Sequence, residues 1–460
     1  MRSIPFVVRH ALALLATSLL LAAGAAHAQM LIGWAQMPAA TFSDGPTSGQ
    51  FTAPNAFGTN VPPFIGKQPV QGFSAVLQGP RKDVFQFLVD NGFGSQASSA
   101  DALLRSYALH ISWRTPKGGR GAIEPADLDS GKERSQFDAR TRLQLNDVHR
   151  KLTIPIQADY ANYYNNPSNA PVDASIRAGR LLTGADFDVE SFRRDRRGNY
   201  WFGDEFGPYL VKTDANGTVL RSEISLPGVY APQHKDVVAG KVTANLPSSG
   251  GFEGMAINKS ETKLYTLLEG LVAGDPDKTR RINEFDLAKE RYTGRSYVYP
   301  LDPNGTNIGD MVAVDDHRFI VLERNGSTAT SPNPAPFKKV FLIDLKGVPD
   351  GGTARKTELV NLMNLADPFD LNADGQTVFT FPYTTIENVL VLDARTLLVV
   401  NDNNFPYGGG RELASDNTEF LKIRLPFFLT DDDDEDDHDH HGRNGHGRDH
   451  RGGGYDWDDD

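Results

Sequence analysis

One hairpin pattern returns five times along this chain, and nothing else in the sequence restricts the fold as tightly. A small polar or acidic residue enters an apolar strand, a turn follows, and 13 to 16 residues after the first mark a second apolar strand ends in Asp, Glu or Asn. The instances are Ser74-Ala-Val with Phe87-Leu-Val-Asp90-Asn91, Glu190-Ser-Phe with Tyr200-Trp-Phe-Gly-Asp204-Glu205, and Glu253-Gly-Met with Leu264-Tyr-Thr-Leu-Leu-Glu269. Asp310-Met-Val with Phe319-Ile-Val-Leu-Glu323-Arg324-Asn325, and Glu387-Asn-Val with Leu397-Leu-Val-Val-Asn401-Asp402-Asn403, complete the set. Self-similarity at this scale marks a repeat architecture, in which each unit buries its apolar face against its neighbours.

Between the hairpins, apolar runs of four to eight residues rich in β-branched and aromatic side chains alternate with turn tetrads such as Asp214-Ala-Asn-Gly217, Asp302-Pro-Asn-Gly305 and Asn372-Ala-Asp-Gly375. That is strand punctuation and not helical periodicity. Successive first marks lie 116, 63, 57 and 77 residues apart, while a four-stranded propeller blade occupies about 40 to 50. The fold class expected is all-β, a β-propeller of six blades with five or seven left open, the first gap being long enough for one more blade. Radial repetition also removes long exposed sheet edges.

The two ends read differently from the body. Residues 1–28 carry Arg2 and Arg9, an apolar run from Ala11 to Ala26 and the small-x-small sequence Ala26-His27-Ala28, the pattern of a cleaved signal peptide. Residues 29–429 form the propeller domain, and 430–460 an Asp-, His- and Gly-rich tail expected to be disordered. Of the net charge of −12, that tail supplies thirteen acidic against three basic residues, so the body is close to −4. A nearly balanced body leaves no footprint for nucleic acid. No later stretch is apolar for long enough to cross a bilayer, so the mature chain is expected in the periplasm or secreted, without stable membrane insertion. It has no cysteine, so stability is expected from core burial and bound metal instead of disulfides.

In a propeller, equivalent positions of successive blades form a ring about the axis. Glu190, Glu253, Asp310 and Glu387 would converge there, and crowded carboxylates repel unless a cation neutralises them, which points to Ca²⁺ held by oxygen ligands. The plainer reading is that these residues cap turns at strand ends.

The segments Leu182-Thr-Gly-Ala-Asp-Phe-Asp-Val-Glu-Ser191, Trp201-Phe-Gly-Asp-Glu-Phe-Gly-Pro-Tyr-Leu210, Gly251-Phe-Glu-Gly-Met-Ala256, Glu323-Arg-Asn325 and Val400-Asn-Asp-Asn-Asn-Phe405 resemble the phytase-like family of bacterial exported proteins, described as having esterase-like activity of phytase. Leu31-Ile-Gly-Trp-Ala35 and Gly72-Phe-Ser-Ala75 extend the likeness over the body. The resemblance implies a β-propeller that hydrolyses esters or phosphoesters. It brings no agreed catalytic set; the matched positions are Asp188, Glu190, Asp204, Glu205, Glu253, Glu323, Asn325, Asp402 and Asn403.

Other hydrolase signatures are missing: no Gly-x-Ser-x-Gly elbow, no His-Glu-x-x-His and no phosphate loop ending in Lys-Ser or Lys-Thr. Three readings follow. In the first, a Ca²⁺-dependent phosphomonoester hydrolase uses Glu190 or Glu205 to activate water and Arg324 or Lys212 to steady charge. Its cation ligands are drawn from Asp188, Asp204, Glu253, Asp310, Glu323, Asn325, Glu387, Asp402 and Asn403. In the second, one axial Ca²⁺ held by Glu190, Glu253, Asn325 and Asp402 serves a lactonase or carboxylesterase, with His234 or His317 moving a proton. In the third, the propeller binds a partner without turnover. The expected partner is a small-molecule ester or phosphoester, and the oligomeric state is left open.

Overall fold

Each of the five hairpins is the inner half of a four-stranded antiparallel sheet. The structure, a computed structural model, describes residues 29–164 and 170–430; the expected signal segment and all of the tail after Thr430 lie outside those residues. Blade I runs outward through Phe73–Gln78, Val84–Val89 and Arg105–Ser112, with Ala122–Pro125 and Arg142–Gln144 sharing its outer edge. Blade II is Val189–Arg194, Tyr200–Asp204, Tyr209–Thr213 and Ile224–Ser225. Blade III comprises Phe252–Ile257, Lys263–Leu268, Thr279–Asp286 and Arg291–Pro300, and blade IV Asn307–Ala313, Arg318–Arg324, Lys338–Asp344 and Arg355–Asn361.

Blade V joins the two ends of the fold. Thr385–Asp393, Thr396–Asp402 and Thr418–Arg424 supply three strands, and Met30–Met37 pairs antiparallel with the last of these, Trp34 opposite Leu421. The ring is thus closed by hydrogen bonds between strands nearly 400 residues apart in sequence. The five inner strands pack side by side in the cyclic order I, II, III, IV, V and back to I. Among the described residues the propeller therefore has five blades where the spacing suggested six. The 116-residue gap holds the outer strands of blade I, long loops, a 3₁₀ turn at Gln157–Asp159 and a short helix at Ala174–Gly179, and among its described residues no further inner hairpin.

Because a blade is covered on both faces by its neighbours, its second strands are buried almost throughout: Val84–Val89, Tyr200–Asp204 and Thr396–Asp402 have no exposed position. This is why their apolar residues come in unbroken runs without alternation. Phe187, Phe192 and Phe202 fill the seam between blades I and II, and Trp201, Phe252 and Phe285 the seam between II and III. Each such aromatic ring contributes about 1.5–3 kcal/mol on burial. No helix among the described residues is long and apolar enough to cross a membrane.

Candidate functional site

The first mark of every hairpin sits in a β-bulge. The inner ladder slips between Phe73 and Ala75, between Phe252 and Gly254, between Ile386 and Asn388, and between Ile308 and Met311; in blade II, Val189 and Ser191 pair with successive residues and Glu190 is left over. The unpaired residues are Ser74, Glu190, Glu253, Asp310 (with Gly309) and Glu387. A bulge frees one residue from the ladder and re-aims its side chain, so five side chains are presented at one end of the central channel. The second strand of each hairpin is antiparallel to the first, so its C-terminal end, with Asp90, Glu205, Glu269, Arg324 or Asp402, arrives at the same end. Close approach of the blades needs glycine: a Cβ on Gly309 would collide with the Ile386 carbonyl, and one on Gly251 with the Glu205 Cα.

Three carboxylates stand closest together. Oxygen atoms of Asp188, Glu190 and Glu205 all lie within 4.8 Å of one another, and all three residues are buried. Asp188 Oδ1 and Glu205 Oε1 have no hydrogen-bond partner. Burial, then the charges of Asp188, Glu253, Glu387 and Asp90, push the Glu190 carboxyl well above its ordinary range. Glu205 rises for the same first reason and then through Glu269 and Asp188, and Glu253 through Glu387, Glu269 and Glu205. Asp90 and Asp402 are raised as well, mainly by burial. Eight acidic side chains thus share this basin: Asp90, Asp188, Glu190, Glu205, Glu253, Glu269, Glu387 and Asp402. Buried oxygens that lack donors and repel one another suit a hard divalent cation such as Ca²⁺, and the trio contains no nitrogen or sulfur ligand that would favour a softer metal.

One guanidinium pairs with basin carboxylates outside the trio. Arg324 Nη2 is 2.9 Å from Glu387 Oε1, 3.3 Å from Glu269 Oε1 and 3.5 Å from Glu253 Oε1. Behind it, Lys338 Nζ donates to the carbonyls of Asn325 and Thr384, and burial together with the Arg324 charge lowers its pKa to about 7.

A family model described as "Phytase-like: Esterase-like activity of phytase" matches residues 68–405, well over half of the chain. The chain belongs to the phytase-like family. A curated relative, an uncharacterized secreted protein of Arthroderma benhamiae, is 24% identical over 191 residues, covering 35% of this chain and 37% of its own; the chain thus matches little more than a third of that relative's length. Among solved structures, a luciferin-regenerating enzyme is similar at 9% identity and a TM-score of 0.33, covering 77% of this chain and 92% of its own. A GH43 endo-arabinanase from Bacillus licheniformis is similar at 10% identity and a TM-score of 0.34, covering 77% and 95%.

The site residues expected from the sequence divide into two groups. Asp188, Glu190, Glu205, Glu253, Glu387, Asp402 and Arg324 meet in the basin. Asp310, expected as the fourth member of the ring, is instead tied to Arg193, whose Nη2 donates to Asp310 Oδ1 and to the Met311 carbonyl, each at 2.7 Å. Burial still lifts its carboxyl to about 6 against that guanidinium. Asp204 accepts from the backbone N–H groups of Asp188 and Gly207 at 2.9 and 2.7 Å and so braces the turn that carries Glu205. Glu323 points away from the basin, accepting from the Tyr299 hydroxyl and the Asp302 N–H, both at 2.6 Å, and pairing with Lys356. Asn325 organises its own loop through Ser327, Ala335 and Phe337. Asn403 Nδ2 donates to Gln71 and to the Asp416 carbonyl, leaving Oδ1 without a partner.

The other proton-moving and charge-steadying candidates are engaged elsewhere. Lys212 is 2.6 Å from Glu290 and lies over Trp201. His234 caps a short helix: Nδ1 accepts from the Asp236 N–H, so the neutral ring carries its proton on Nε2 and donates it to Ser225 Oγ at 3.1 Å. That is the wrong tautomer for activating the serine. His317 sits in a hairpin turn beside Asp315. Glu269 and Asp90 belong to the basin although no site role was expected of them; both end second strands of the repeat, and that shared position was the available signal. Arg193 left no signal of its own.

Proposed function

We propose that this phytase-like propeller is a Ca²⁺-dependent hydrolase of ester bonds, exported from the cell, with its active site in the axial basin. The observation that carries the reading is the trio Asp188, Glu190 and Glu205, three buried carboxylates within 4.8 Å with two partnerless oxygens. They would hold the cation through carboxylate oxygens. A bound cation polarises an ester oxygen and acidifies a water molecule. Arg324 Nη2 donates to Glu253, Glu269 and Glu387 and offsets their mutual repulsion. Glu253 and Glu387, beside the trio, are the carboxylates suited to accept the proton of an attacking water. Arg324 acts in this scheme through the carboxylates that its Nη2 binds.

The excess of carboxylate over guanidinium repels a phosphate dianion unless several cations are held, so a neutral carboxylic ester or lactone fits the basin better than a phosphomonoester. Assays of the purified mature chain with an aryl ester, an aryl phosphate and phytate, in Ca²⁺ and in chelator, test this. Turnover confined to Ca²⁺ and fastest on the aryl ester is expected. Undiminished turnover in chelator would overturn the cation, and silence on every substrate would leave a binding propeller. The secreted fungal relative supports export, and a mature N-terminus at Gln29 in culture medium or periplasmic extract is the corresponding check.

A further inference from the structure

The second strands of blades I, II, III and V bring carboxylates to the basin, whereas blade IV brings Arg324. Its Nη2 is the meeting point of three carboxylate oxygens from three places, Glu253 and Glu269 of blade III and Glu387 of blade V, at 2.9 to 3.5 Å. Glu253 and Glu387 are bulge residues, aimed by the backbone and not by the arginine. The backbone therefore brings Glu253 and Glu387 to this point independently of the guanidinium, and Glu269 arrives there at the end of the neighbouring strand. Arg324 is itself buried, its Nε has no partner, and the neighbouring Lys338 spends its donors on backbone carbonyls. The guanidinium nitrogen thus stands where a divalent cation would otherwise be called for, on three carboxylates outside the trio.

We propose that Arg324 is a built-in second cation: the wild-type basin takes its divalent ion on the Asp188, Glu190 and Glu205 side alone, and loss of the guanidinium opens a second divalent-cation site bounded by Glu253, Glu269 and Glu387. This rests on the trio being a cation seat. A fixed guanidinium occupies one half of the basin at every Ca²⁺ concentration, so the metal requirement of the protein is set by the other half. The three oxygens that surround Nη2 at 2.9 to 3.5 Å are all carboxylate donors, the ligand type that suits Ca²⁺ once they draw in around an ion. A lysine, with one compact charge on a long stem, can stand in for the guanidinium as a point charge.

The test is the number of Ca²⁺ ions retained by the full-length chain in equilibrium dialysis at pH 7.5, compared among wild type, Glu205→Gln, Arg324→Met and Arg324→Lys. The acidic tail is common to all four chains and cancels in the differences. Expected are one ion fewer in Glu205→Gln, one ion more in Arg324→Met, and the wild-type number in Arg324→Lys. Equal binding by wild type and Glu205→Gln would sink the trio as a cation seat. A normal loss in Glu205→Gln with no gain in Arg324→Met would instead sink the second site while leaving the first intact. Should Arg324→Met fail to fold in chelator, refolding in millimolar Ca²⁺ is expected to rescue it, as a cation that replaces the guanidinium must. Failure to refold in Ca²⁺ would overturn the proposal.

Discussion

Glu190 and Asp310 occupy equivalent bulges in blades II and IV, yet they meet opposite surroundings. Asp310 is handed a guanidinium from across the channel, Arg193, and its charge is settled within the chain. Glu190 faces Asp188 and Glu205, and among the described residues no ion pair reaches the trio. Arg324 lies between these cases, one cation shared by three acids. The same backbone device therefore serves a structural ion pair on one side of the axis and a cation-seeking cluster on the other, and the position in the repeat alone does not say which.

The largest effect should come from breaking the settled side. Arg193→Met strands a buried carboxylate and the Met311 carbonyl, and should cost about 3–5 kcal/mol in chemical denaturation, equally in Ca²⁺ and in chelator. The trio should respond in the other direction. Glu190→Gln removes a carboxyl that burial and its acidic neighbours disfavour, so in chelator it should stabilise by about 1 kcal/mol or more, while Ca²⁺-dependent hydrolysis falls by at least about tenfold. If Glu190→Gln behaves like Arg193→Met, the contrast between the two sides is wrong.

The pH dependence sharpens the same contrast. The basin carboxyls, Glu387 raised to about 8 among them, bind more protons folded than unfolded. Their contribution is therefore intact at low pH and lost as pH rises from the ordinary carboxylate range through about 8. In chelator the melting temperature should fall between pH 5 and pH 8, and Ca²⁺ should restore more at pH 8 than at pH 5. A chelator effect of the same size at both values would contradict the repelling basin. The smallest effect belongs to His234→Ala, which should leave turnover within about twofold and cost about 1 kcal/mol through the lost helix cap.

The hairpins were legible in the sequence because both faces of an inner strand are buried and their ends carry polar marks. Blade number was not, since loops and outer strands between Asn91 and Asp188 imitate the length of a blade without its inner hairpin. Leu31 to Ala35 was recognisable as a motif, but nothing in its letters named Thr418–Arg424 as its partner. At the site, the difficult pair was Glu323 and Arg324. Neighbours in a strand point to opposite faces, and a shift of one residue exchanges them. Blade IV turns Arg324 inward and Glu323 toward Tyr299 and Lys356, a parity that only the ladder fixes. Likewise, the reach of Arg193 across the channel depends on the cyclic closure of the blades and not on any local pattern.

Anomalous diffraction from crystals of the full-length protein soaked in a lanthanide, a Ca²⁺ surrogate, addresses the central claim most directly. The account predicts an anomalous peak among the carboxylate oxygens of Asp188, Glu190 and Glu205, and none between Glu253, Glu269 and Glu387. Peaks confined to the outer surface, with the trio left without density, would contradict it.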